Sequence, residues 1–241
     1  MNIRHCFTVV CGAALLMGAT GIAVQADKND IPNIRDGLVK VKSNHLGAVY
    51  LLPGTDFRGY TKVLLDQTQI AFRDDWIKDI NRSTRELSSR INSEDAVRMV
   101  EKARTTFAET FGRGLKDAGF EIVTAPGAGV LRLAPRVIDM YVNGPDKLTT
   151  APLTRVFTVD AGEATLILEI SDSTTGRLIG RASDHGTASL TGSSRLKPTS
   201  SVLNRGEFED LFRAWARACA RSLNELRAQP PLAMTGQPPT Q

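Results

Sequence analysis

Apolar and polar side chains alternate most cleanly between Glu163 and Ser171. Ala164, Leu166, Leu168 and Ile170 fall on one face, while Thr165, Glu169 and Ser171 share the other with Ile167. A period of two marks a half-buried strand. The stretch "DSTTG" then breaks the alternation, with Asp172 placed to accept from backbone amides beyond it and Gly176 free to take a positive φ. "RLIGRAS" returns as a second strand. Residues 161–188 therefore read as a β-hairpin, with Glu169 and Arg181 on its wetter face within reach of cross-strand pairing.

Two segments carry a helical period instead. In "NSEDAVRMVEKARTTFAETFGRGLKDAGF", Ala96, Val100, Ala103, Phe107, Phe111 and Leu115 recur every three or four residues and form one apolar stripe. Ser93 is the expected cap, and Gly119 ends the helix. In "NRGEFEDLFRAWARACARSLNELR" the stripe is Phe208, Leu211, Phe212, Trp215, Cys219, Leu223 and Leu226, with Asn204 and Glu207 spaced as a capping box. "TKVLLDQTQIAF" reads as one strand covered on both sides. "FEIVTAPGAGVLRLAPRVIDMYV" gives two strands about the turn "PGAG", and Pro135 points to an edge position or a bulge.

Strand, helix, strand, helix in this order predicts an α+β fold. We expect one mixed, mainly antiparallel sheet of four to six strands, with two amphipathic helices packed on one face. Residues 27–46 read as a flexible arm, 47–228 as a single domain and 229–241 as a disordered Pro-rich tail.

The first 26 residues stand apart. After Arg4 comes "CFTVVCGAALLMGATGIAV", free of charge, then "AVQA" and the charged "DKND". This is the layout of a secretory signal cut after Ala26. Cys11 lacks the surroundings of a lipid-attachment site, and no later stretch is apolar enough to cross a bilayer. Cleavage leaves Cys219 alone, so no internal disulfide is expected. It removes only Arg4 among the charges, taking the net charge from +4 to +3, which is no nucleic-acid signature.

The segments "LPGTDFRGYTKVLLDQTQIAF", "GAGVLRLAPRVIDM", "AGEATLILEISDSTTGRLIGRASDHG" and "FEDLFRAWARACARSL" are similar to a bacterial envelope family, domain of unknown function 3313, whose members are mostly lipoprotein-like. The resemblance covers residues 46–228, and the hairpin is its most specific part. It implies an envelope location, periplasmic or associated with the outer membrane, and a fold. It carries over no catalytic residues, and the leader departs from it in lacking a lipid-attachment cysteine.

The search for chemistry yields little. His45, His185 and Cys219 lack metal-ligand spacing, and His185 follows Asp184 on a strand whose successive side chains point to opposite faces. There is no Gly-x-Ser-x-Gly elbow, and the glycines of "FGRGLKDAG" are followed by no phosphate-loop lysine. Asp66 and Asp139 sit in strand runs, with nothing to bring them together. The best surface feature is Arg213, Arg217 and Arg221, spaced to stack along one helix face, with Glu209 one turn before Arg213 and able to pair with it. The expectation is a non-enzymatic envelope binding or accessory module without a cofactor. Its partner is an envelope protein or a membrane-surface component. Alternatives are a small hydrolase or transferase with a site built from loops 143–160 and 186–205, or an apolar small-molecule carrier.

Overall fold

The structure is a computed structural model and describes residues 36–84, 87–143, 157–158, 160–189, 197–198 and 201–231. The elements in chain order are β1 (Val39–Val41), β2 (Ala48–Leu51), β3 (Lys62–Leu65), β4 (Gln69–Phe72), α1 (Trp76–Ser83), a 3-10 turn (Leu87–Ser89), α2 (Ser93–Asp117), β5 (Glu121–Val123), β6 (Val130–Val142), β7 (Phe157–Thr158), β8 (Gly162–Asp172), β9 (Leu178–Ala188), β10 (Lys197–Pro198) and α3 (Ser201–Ala228).

Eight strands form one mixed sheet in the order β1-β2-β9-β8-β6-β3-β5, with β4 also on β6. β7 and β10 pair separately. In the main sheet β1–β2, β2–β9, β8–β9 and β6–β8 are antiparallel, while β3–β5, β3–β6 and β4–β6 are parallel. The α+β class stands, but four to six strands and two helices were too few. β1, β2 and β5 have three or four residues each, too short to show a period. β1 lies within the segment read as an arm. The extra helix, α1, has only eight residues, and Trp76, Ile77 and Ile80 give it one short apolar side. Its Trp76 is fully buried, stacks on Phe72 at 3.9 Å and donates from Nε1 to Val142 O at 3.0 Å.

"TKVLLDQTQIAF" is two strands, β3 and β4, interrupted at Asp66–Thr68. Both lie along the same edge of β6, and Pro135 explains the break. Asp66 N donates to Leu133 O at 2.9 Å, so Leu133 directs its backbone groups toward β3. Two residues on, Pro135 points the same way and has no N–H to offer. It falls opposite the interval between β3 and β4, so a proline is tolerated inside an interior strand. The bulge of β6 comes later, between Ile138 and Tyr141, where Asp139 takes a φ of 51°.

The hairpin forms as its pattern predicts. Asp172 Oδ1 accepts from Thr174 N at 3.1 Å and Thr175 N at 2.8 Å, and Gly176 has φ 70°. These bonds hold the Asp172 carboxyl below its usual range. Ile179 is an extra residue that shifts the register just beyond the turn, so Glu169 comes opposite Arg181, and their side chains bond at 2.9 Å.

The apolar face of the sheet, with Leu131, Leu133, Val137, Leu166, Leu168 and Ile170, meets both long helices in one core. Helix α2 is capped by Asn92 rather than Ser93: Asn92 and Asp95 exchange side-chain and backbone bonds in a full capping box. Helix α3 begins at Ser201, which places Asn204 and Glu207 inside it rather than at its cap. The two helices run in the same direction, since Phe107 meets Phe212, Gly114 meets Ala216 and Ala118 O accepts from Asn224. On the opposite sheet face, Leu38, Ala48 and Tyr50 form a second small cluster.

Candidate functional site

Positions 213, 217 and 221 each advance the α3 helix by slightly more than one turn, so their arginines climb one face. Their states differ. Arg213 donates to Glu209 Oε1 at 2.9 Å, the pair expected from the spacing, and also to Asp210. Arg217 and Arg221 are exposed and have no ion-pair partner among the described residues.

The far side of α3 is anchored. Phe212, Trp215, Cys219 and Leu223 are buried against the sheet. Trp215 Nε1 donates to Asp184 Oδ2 at 2.9 Å, and Asp184 Oδ1 accepts Gly47 N at 2.8 Å, so one carboxylate clamps α3 and the start of β2 to β9. Burial raises the Asp184 carboxyl above its ordinary value, and the bonds from Gly47 and Trp215 oppose that shift. Near the carboxyl end of the helix, His45 Nε2 lies 2.7 Å from Glu225 Oε1. The Cys219 thiol is pushed up by burial and then by the charge of Asp184, which keeps it protonated and inert.

Asp184 thus faces the helices, while His185 faces the other way. There, Thr165 Oγ1 is 3.2 Å from His185 Nδ1, His185 Nε2 is 3.5 Å from Glu163 Oε2, and Glu163 Oε1 is 3.3 Å from Arg73. The Arg73 guanidinium lies 4.3 Å over the Tyr141 ring. Hydroxyl, imidazole and carboxylate in line have the composition of a nucleophilic relay. Thr165, however, is directly opposite His185 in the ladder and only 7% exposed, so its hydroxyl is spent in a cross-strand bond. Arg73 engages the carboxylate, and the group is a brace across β8 and β9. Beside it, Asn143 Nδ2 donates to Asp160 Oδ1 at 2.7 Å. Burial raises Asp160, the Asn143 bond opposes this, and the charge of Glu163 adds to it.

Sequence reasoning missed this brace. Counting back from the turn would set Thr165 opposite Asp184, but an extra residue at Ile179 brings His185 there instead, and Arg73 and Tyr141 arrive from the end of β4 and from β6. The acids Asp66 and Asp139 do not meet. Asp66 pairs with Arg132 at 2.9 Å, and Asp139 lies six residues beyond Leu133, roughly 20 Å along β6. Among the described residues no group of three or more His, Cys, Asp and Glu is placed to hold a metal ion, and no helix is long and apolar enough to cross a membrane. Most of loops 143–160 and 186–205, offered as a hydrolase site, lies outside the described residues.

A family model described as "Protein of unknown function (DUF3313)" matches residues 27–219. No curated protein matches the sequence. Among solved structures, the chain is similar to the PelC dodecamer from Paraburkholderia phytofirmans, at 15% identity over 70% of this chain and 98% of that one, with a TM-score of 0.31. It is also similar to a Xanthomonas campestris protein of family model DUF330, at 13% identity over 74% of this chain and 91% of that one, with a TM-score of 0.39.

Proposed function

The chain belongs to the family described as protein of unknown function DUF3313, and from that premise we propose that it is a non-enzymatic binding or accessory module of the cell envelope. In this reading it is exported to the periplasm and meets an acidic partner through the arginine face of α3. The observation that carries the reading is the pair Arg217 and Arg221: two exposed guanidinium groups without an ion-pair partner among the described residues, on a helix whose other side is locked into the core. A rigid element presents charge without the entropy cost of ordering a loop. Arg213 is less available, because Glu209 and Asp210 already engage it. Export is supported by the leader, and the family match begins at Asp27, the residue after the expected cut.

Two arginines near an anionic surface contribute on the order of 1 kcal/mol each, so the contact is weak alone and gains from a second attachment. The test is charge reversal of Arg217→Glu with Arg221→Glu, followed by cross-linking and affinity recovery from cell envelopes. Both positions are exposed, so stability should change by no more than about 0.5 kcal/mol. The cross-linked species should disappear in the variant. Unchanged recovery would remove this face from the function.

A further inference from the structure

Helix α2 carries two interior glycines, Gly112 and Gly114. A glycine inside a helix is destabilising relative to alanine, so each calls for a reason. Gly114 has one: a Cβ there would lie 2.6 Å from Ala216 Cβ, so the glycine lets α3 approach. Gly112 has none of that kind, since a Cβ would meet nothing within 4 Å. The two positions are about 200° apart around the helix, so Gly112 points away from α3.

It opens instead on a cleft of about 620 Å³ between α2 and the β3–β5 edge of the sheet, within the span of roughly 300–1,000 Å³ usual for small-molecule sites. Leu65 and Ile122 line it on the sheet face toward α2, and Ala108 lines it from α2 itself. No aromatic ring is among the lining residues, so a base or a sugar has no face to stack on, while a flexible alkyl chain finds aliphatic contact along its length. Arg113 and Lys116 also line the cleft, one helical turn apart. Both are exposed and have no ion-pair partner among the described residues. Glu109 is the one acid beside them.

We propose that this cleft binds a single-chain anionic amphiphile of the long-chain carboxylate class. The alkyl chain runs under Gly112 against Leu65, Ile122 and Ala108, and the carboxylate lies between Arg113 and Lys116. The missing side chain at 112 is the space the chain occupies. The site lies on the far side of α2 from the arginines of α3, so it stands or falls independently of the reading given above.

The probe is palmitate, titrated below its micelle concentration against the purified chain with a displaceable fluorescent fatty acid as reporter. Saturable binding with one site per chain is expected. Gly112→Leu should weaken it at least tenfold, while thermal melting shows the variant folded. Arg113→Glu with Lys116→Glu, both on the surface, should weaken palmitate at least tenfold and leave hexadecanol, the uncharged analogue, within about twofold. Absence of saturable palmitate binding by the wild type overturns the proposal, and so does equal binding by Gly112→Leu. If palmitate fails to bind while sedimentation shows self-association that Gly112→Leu abolishes, the cleft is an interface between two copies of the chain and the proposal is wrong. Should Gly112→Leu not fold, the double charge reversal decides: equal weakening of acid and alcohol refutes the placement of the head group.

Discussion

Gly112 and Gly114 allow one helix to serve as its own control. Replacing either by alanine gains the same helix propensity, about 1 kcal/mol. At Gly112 nothing opposes the gain, because a Cβ meets no atom within 4 Å. At Gly114 the new Cβ would lie 2.6 Å from the Cβ of Ala216, which is itself fully buried and cannot swing aside. Ordinary carbon contacts sit at about 3.5–4.0 Å, so the helices must separate by roughly 1 Å locally. Overpacking of that kind costs about 1–3 kcal/mol. Gly112→Ala should therefore be stabilised by about 1 kcal/mol, a rise in Tm of roughly 2–4 °C for a domain of this size. Gly114→Ala should fall between neutral and about 2 kcal/mol destabilised, because its propensity gain offsets part of the overlap. Adding Ala216→Gly to Gly114→Ala should recover a coupling energy of about 1–3 kcal/mol. Urea unfolding followed by circular dichroism measures the wild type, the three single variants including Ala216→Gly, and the double variant. If Gly114→Ala is stabilised as much as Gly112→Ala, or the double variant shows no coupling, then α2 and α3 do not touch as described.

Asp184 gives a pH-dependent test. Its carboxyl is raised above 3.8 by burial, so its contribution is present in full below that pH and is lost as pH rises through the higher folded value. Asp184→Asn should cost about 1–3 kcal/mol, because an amide cannot accept from both Gly47 N and Trp215 Nε1. The gap between wild type and variant should narrow as pH rises above 3.8 in urea titrations, and a gap that widens contradicts the assignment. Cys219, buried and held protonated, should resist a thiol reagent in a chain carrying Cys6→Ser and Cys11→Ser until denaturant is added. Rapid labelling of the native protein would refute its burial.

What could be read from the sequence is what local chemistry decides. The hairpin was legible because Asp172 and Gly176 make its turn without help from elsewhere, and the alternation on either side then sets which residues face the helices. Both long helices were legible from their stripes, and the Arg213–Glu209 pair from spacing alone. The split of β3 from β4 was not. "TKVLLDQTQIAF" is continuously compatible with a strand, and the interruption answers to Pro135, far away in sequence. The caps failed for a related reason: several polar residues near each helix start could serve, and Asn92 wins at α2 through its exchange with Asp95. The cleft was hidden because the helix sequence alone does not show which strands Gly112 faces.

The place of β2 in the sheet bears on how the chain is made. Ala48 lies opposite Ser183, and β2 has no other long partner besides β9. An amino-terminal strand so arranged cannot close onto the sheet until nearly everything downstream has left the ribosome. During synthesis the growing polypeptide therefore lacks a finished sheet, and β2 waits with its edge unpaired until β9 reaches it.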